Sequence, residues 1–218
     1  MNKIKDIGRH QVIANVRALM PGRALHEHEA RSLAERQAQR LSQLLDLEGP
    51  IVDLAAAAGL PRIDVRFQAG LPVSGFSEWS RSRWVIAINL DDHWTRQRFT
   101  LAHELKHVLD NPYIEVLYPG RDGKPSHQRA EAICDYFAAC LLMPRPAVKR
   151  AWGQGHQRVE DLAAHFGVSQ AAMGLRLFQL GLTTGRSRCP GTSDVRRYFR
   201  RSSPSIALAS APGSRAWT

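Results

Sequence analysis

The run His103-Glu104-Leu105-Lys106-His107 constrains the fold more than any other part of the chain. Positions i and i+4 lie one above the other on a helix, so these two histidines face one side only if the backbone is helical. Both imidazoles can then reach one cation. Glu104 stands one step round, where its carboxylate can meet a water held by that cation without being a ligand itself. Zinc lowers the pKa of such a water to about 7, and a nearby glutamate can accept its proton. The neighbouring residues supply the helix. Phe99, Ala102, Leu105, Val108 and Leu109 form an apolar face, and neither proline nor glycine interrupts them. A helix is therefore predicted over residues 95–110, closed by Asn111-Pro112.

A catalytic zinc takes three protein ligands and keeps one position open. One route to the third is another histidine shortly after the pair, with a glycine between. Val108-Leu109-Asp110-Asn111-Pro112 has neither. The other route is a glutamate from a later helix. Glu131 follows His107 by 24 residues, on a long helix predicted over residues 126–143 and stopped by Pro144 and Pro146. Asp135 lies one turn further on the same face. The expectation is one zinc per chain, held by His103, His107 and Glu131, with Glu104 as general base. Asp135 would hold the second ring nitrogen of one histidine and fix its tautomer. Tyr113, Tyr118, His127 and His93 are candidates for stabilising a developing oxyanion.

The remaining pattern is mostly helical. Residues 1–48 read as a helical segment, with Val12, Ile13, Val16 and Leu19 in one helix and Leu33, Leu41, Leu44 and Leu45 in another. Gly49-Pro50 opens a short third helix over 51–58. Strands are expected over 63–67, 73–79 and 84–88, the last two forming a hairpin through Ser80-Arg81-Ser82-Arg83. The apolar run Trp84-Val85-Ile86-Ala87-Ile88 suits a strand covered on both faces. It directly precedes the metal helix, and it reads equally as a strand bordering a cleft, where an extended substrate could add to the sheet edge, or as an ordinary core strand. A loop covers 113–125. Two short helices over 159–166 and 169–180, joined by Gly167-Val168, resemble a helix-turn-helix within 158–181. Its second helix offers DNA only Gln170, Arg176 and Gln179, so it reads as a structural pair.

Charge and cysteine narrow the alternatives. The chain of 218 residues carries a net charge of +10, but seven arginines against Asp194 place +6 of that after Leu182. Residues 183–218 read as a basic, disordered tail rather than a folded basic face, although Tyr198, Phe199 and Trp217 could help it touch nucleic acid. Three cysteines without a CxxC pair argue against a disulfide framework and against a cysteine-based zinc site. No run of about 18 apolar residues marks a membrane span. The N-terminus lacks a signal core, which implies a cytoplasmic protein. His26-Glu27-His28-Glu29 is a poor chelate, because i and i+2 diverge on a helix.

Phe99-Thr100-Leu101-Ala102-His103-Glu104-Leu105-Lys106-His107, then Glu131 to Asp135, then Phe137-Ala138-Ala139-Cys140-Leu141-Leu142-Met143-Pro144, resembles the ImmA/IrrE family of metallo-endopeptidases. The resemblance runs from near Pro50 to about Leu182. Lys106 stands where a glycine is common and Cys134 where alanine is usual; neither is a ligand position. The resemblance implies an α+β, zincin-like fold in which a small, mostly antiparallel sheet packs on the metal-bearing helix and a second, Glu-bearing helix, with helical flanks. Residues 49–182 would form this gluzincin-like peptidase domain. Members are associated with cleaving helix-turn-helix repressors in stress responses, so the implied partner is a protein substrate such as a repressor. The alternative is a DNA-binding or sensory regulator that retains a zincin fold.

Overall fold

The computed structural model describes residues 8–120 and 124–184. In the order of the chain its helices are α1 (Val12–Arg17), α2 (Glu27–Leu45), α3 (Ala55–Ala58), α4 (Trp94–Asp110), α5 (Ile114–Leu117), α6 (His127–Leu142), α7 (Arg145–Gly153), α8 (Val159–Phe166) and α9 (Gln170–Gln179); the strands β1 (Ile63–Gln68), β2 (Gly75–Ser80) and β3 (Arg83–Asn89) fall between α3 and α4. The fold is α+β and mostly helical. Helix α4 is its centre. His93 starts it, its ring accepting from the Thr95 amide, and Pro112 follows its end. From Thr100 to Asp110 every α4 residue is buried except His107. Helix α6 packs along α4 on one side, α2 packs along α6, and the sheet covers another side of α4. Leu33 and Leu41 of α2, Leu105 and Leu109 of α4, and Phe137 and Leu141 of α6 belong to one hydrophobic cluster.

The sheet is mixed, with strand order β1-β3-β2. Strand β3 pairs parallel to β1, from Ile63↔Trp84 to Gln68↔Asn89, and antiparallel to β2, from Gly75↔Ile88 to Ser80↔Arg83. The expected mostly antiparallel sheet is thus half parallel. Val85, Ile86, Ala87 and Ile88 are all buried, so the apolar run of β3 is covered on both faces, and its central place pairs both of its edges. Of its two readings the core strand holds: β3 has no free edge for a substrate, and the edge strand beside α4 is β2. The hairpin turn places Arg81 at φ 48 and Ser82 at φ 64. This is the left-handed pair that a two-residue hairpin needs to match strand twist.

Other elements depart from the sequence pattern for local reasons. Helix α3 is one turn long, because Asp53 accepts from the Ala55 amide and the chain bends before it. Helix α7 was not anticipated. Pro146 lies in its first turn, where a missing N–H leaves no intrahelical bond unmade. Part of the predicted loop after α4 forms α5. The His26-Glu27-His28-Glu29 tract is a helix start: the His26 amide donates to Glu29 at 2.8 Å. Hydrogen bonds from Arg23 and from that amide hold the Glu29 carboxyl at a pKa of about 2.

The helix-turn-helix-like pair is tied inward. Arg98 of α4 donates to the carbonyls of Phe166, Gly167 and Val52. Gly167 is left-handed at φ 61, and a Cβ there would strike Trp94 and Arg98. Arg176, a residue that a DNA reader would point outward, is 1% exposed. It donates to the Met143 carbonyl at 3.1 Å and lies over the Tyr136 ring. Cys189, Tyr198, Phe199, Trp217 and nearly all of the basic tail lie outside the described residues. Among the described residues, no helix is long and apolar enough to cross a membrane.

Beneath the surface of α4 lies a buried polar network. Lys106 is fully buried, pairs with Asp110 one turn on, and donates to Gln37 of α2 at 2.8 Å. The Tyr118 hydroxyl donates to the second Asp110 oxygen at 2.8 Å. Removing one charge strands the other in an apolar interior. Lys106→Met is expected to lower the free energy of unfolding by about 3–5 kcal/mol in urea titrations. The double variant Lys106→Met/Asp110→Leu should recover part of that loss; a double variant as unstable as the sum of the singles would rule out the pairing.

Candidate metal centre

Helix α4 presents His103 and His107 toward α6, as their i, i+4 spacing requires. Their Nε2 atoms lie 3.0 Å apart. Glu131 of α6 closes the triangle, with Oε2 3.4 Å from His103 Nε2 and Oε1 3.2 Å from His107 Nε2. Two nitrogens each about 2.0–2.1 Å from one tetrahedral ion would stand roughly 3.3 Å apart, and a carboxylate oxygen would stand at a similar distance. The three separations therefore fit a shared ion, and the donor set of two imidazoles and a carboxylate suits zinc.

The supporting groups are in reach of these three. Asp135, one turn beyond Glu131, has Oδ1 2.8 Å from His103 Nδ1. With Nδ1 carrying the proton and donating to Asp135, Nε2 is left with a free lone pair facing His107 and Glu131. Glu104 is 5% exposed, and its carboxylate accepts from the Ser77 hydroxyl of β2 at 2.8 Å. Ser77 was missed in the sequence. A signal existed: it is a polar residue on the inward face of an alternating strand.

Cys134 was set aside as a substitution at a non-ligand position, but it lies nearby. One ligand atom each from His103, His107 and Cys134 lie within 4.8 Å of one another. The thiol is completely buried, and burial pushes its pKa well above the usual value. It stays protonated in the metal-free chain and is a poorer donor than the ionised Glu131.

The four oxyanion candidates separate by position. Tyr118 is buried, donates to Asp110, and is turned away from solvent. His93 caps α4 ten residues before His103, about 15 Å along the helix. Tyr113 is 37% exposed just beyond α4. His127 is exposed at the first turn of α6, four residues before Glu131 and on the same helical face.

In the metal-free chain these groups stabilise one another by charge. Burial alone would lower the His103 pKa, but hydrogen bonds to Asp135 and Glu131 raise it well above 6.5. Burial alone would raise Glu131, but hydrogen bonds from both histidines hold it far below the usual carboxylate range. The His103 contribution to stability is complete below 6.5 and is lost as pH rises through its raised folded value. The Glu131 contribution is complete above 4.5 and is lost as pH falls through its depressed folded value. In the presence of chelator, melting temperature should peak between pH 4.5 and 6.5 and decline on the alkaline side. His103→Phe should flatten that alkaline decline; an unchanged decline would contradict the assignment.

Residues 63–178 match the model of peptidase family M78, described as the IrrE N-terminal-like domain. The chain is similar to a protein of Deinococcus radiodurans named radiation response metalloprotease IrrE, with 33% identity over 96 residues, covering 42% of this chain and 28% of that protein. It is similar to a protein of the same name from Deinococcus deserti, with 31% identity over 128 residues, covering 57% of this chain and 39% of that protein. The matches thus span less than half the length of these relatives. A solved Mycobacterium tuberculosis transcriptional regulator aligns with a TM-score of 0.49 and 19% identity, over 76% of this chain and 51% of that one.

Proposed function

Because the chain belongs to the peptidase family described by the IrrE N-terminal-like domain, we propose that it is a zinc endopeptidase that hydrolyses peptide bonds of a protein substrate. The observation that carries this reading is the meeting of His103 Nε2, His107 Nε2 and the Glu131 carboxylate within 3.0–3.4 Å. Zinc bound there would polarise a scissile carbonyl and acidify a water. His103, His107 and Glu131 would hold the ion. Asp135 orients His103 by accepting from Nδ1. Glu104, steadied by Ser77, takes the proton of the attacking water and returns it to the leaving amine. His127, one turn before Glu131 on an exposed face, is placed to donate to the carbonyl oxygen. The edge of β2 offers backbone groups to an extended substrate.

This reading treats residues 49–182 as a zincin-like catalytic unit carrying the helix pair 158–181, with the helices of residues 8–48 packed on it. The substrate we favour is a helix-turn-helix repressor met in the cytoplasm, in a stress response; the family resemblance supports the repressor, and the relatives' name, radiation response metalloprotease, supports the stress response. Among the described residues, the burial of Arg176 weighs against the regulator alternative.

Metal analysis of the purified chain should find about one zinc, as a single three-ligand site implies. His103→Ala and Glu131→Ala should each lose it, and full retention in both would overturn the site. Asp135→Ala should weaken zinc binding by about 10–100-fold. Cobalt-loaded protein should show d–d bands without an intense near-ultraviolet sulfur band; such a band, absent in Cys134→Ser, would make Cys134 a ligand. On co-expression with the product of a neighbouring regulator gene, wild type should cleave that protein and Glu104→Gln should not. Equal cleavage by both would exclude Glu104 as the base.

A further inference from the structure

Strand β2 and helix α4 run in step beside the metal centre. At one end, Gly75 approaches α4 so closely that a Cβ would lie 2.6 Å from Thr100 Cγ2. One step on, the Ser77 hydroxyl bonds Glu104. Two residues of strand rise about 6.6 Å, and four residues of helix rise about 6 Å, so the two elements keep register as they advance together. The next strand residue on this face is Trp79, and the next turn of the helix is His107-Val108. Side-chain alternation puts Trp79 on the same face as Ser77, toward α4.

Trp79 is paired across the sheet with Trp84 of β3. Their rings meet edge to face, with centroids 5.6 Å apart. Further along this inner face, Ile86 and Ile88 are fully buried, yet Trp79 is 50% exposed. The apolar inner face of the sheet is therefore left open at the Trp79 end, the end that the register of β2 on α4 carries toward His107. His107 is itself the one residue of the buried α4 stretch that is not buried. A large, rigid, apolar surface continues directly from the polar centre along the edge strand.

We infer that Trp79 and Trp84 form a subsite for a large apolar or aromatic side chain of the substrate, next to the bond that is cut. This rests on the peptidase reading above. An extended peptide lying along β2 would project every second side chain toward the inner face, and the indoles supply the area to cover one of them. Trp79, at the exposed rim, contributes the open face. Trp84, packed against the core, fixes its orientation.

The test uses the zinc-loaded full chain with two small chelating probes, glycine hydroxamate and L-phenylalanine hydroxamate, and reads their affinities by calorimetry. Wild type should bind the phenylalanine probe about tenfold more tightly than the glycine probe, a usual discrimination for one apolar group. In Trp79→Ala the ratio should fall to within about twofold, while zinc content stays at one per chain. Trp79→Thr, which keeps strand propensity, repeats the measurement should the alanine variant fold poorly. Trp79→Phe should retain most of the preference. No preference in wild type, or a preference kept in Trp79→Ala or Trp79→Thr, overturns the subsite and leaves the metal reading standing. If neither probe binds the zinc-loaded wild type, the metal reading fails, and the subsite with it.

Discussion

Helix α4 carries four ionisable side chains into the interior, and each must find a partner or destabilise the fold. The partners come from three directions. His103 is met by Asp135 and Glu131 of α6. Glu104 is met by Ser77 of β2. Lys106 is met by Gln37 of α2 and by Asp110, which Tyr118 also supports. Residues of one helix thus carry two tasks. His103 and Glu104 are partnered by α6 and β2, and Lys106 is partnered by α2 and by Asp110 one turn on along the same helix. Movement of α6 or β2 away from α4 would leave His103 or Glu104 without its partner, and movement of α2 would cost Lys106 the bond to Gln37. Precision at the metal centre therefore depends on a polar network that never touches it.

The parts of this design that were legible in the sequence are those carried by a single helix. His103 and His107 share a face by spacing alone, and Glu131 and Asp135 do the same on α6. What the sequence did not show is which helix turn faces which strand. Ser77 and Gln37 are ordinary polar residues in their own segments, and only tertiary register brings them to Glu104 and Lys106. Lys106 looked like a departure from the family's habit, yet its partner was four residues away at Asp110. The apolar run in β3 correctly signalled cover on both faces. Strand order, which is not encoded in any one strand, then placed β3 in the middle and β2 at the edge. Helix α7 was hidden by Pro144 and Pro146, which read as a stop although Pro146 sits where a helix accepts it.

The helix pair α8–α9 shows how a familiar pattern can be used for packing. Gly167 makes the left-handed turn and the Ser169 side chain caps α9 by accepting from the Ala172 amide. Arg98 reaches from the metal helix to grip the turn, and Arg176 points back to the end of α6. Both long cations bond backbone carbonyls, the groups that helix ends leave without partners. The pair therefore buttresses α4 and α6 from outside the centre.

The bond between Gln37 and Lys106 spans 69 residues of chain, and it has a consequence for the order of synthesis. Helix α2 leaves the ribosome early, with an apolar stripe whose main cover is α6. At about 5–20 residues per second, the wait from the end of α2 to the end of α6 is roughly 5–20 seconds. During that time Leu33 and Leu41 have nothing complete to pack against. Until α6 has emerged, α2 is thus an amphipathic segment without its main cover, exposed to any apolar surface that meets the growing chain.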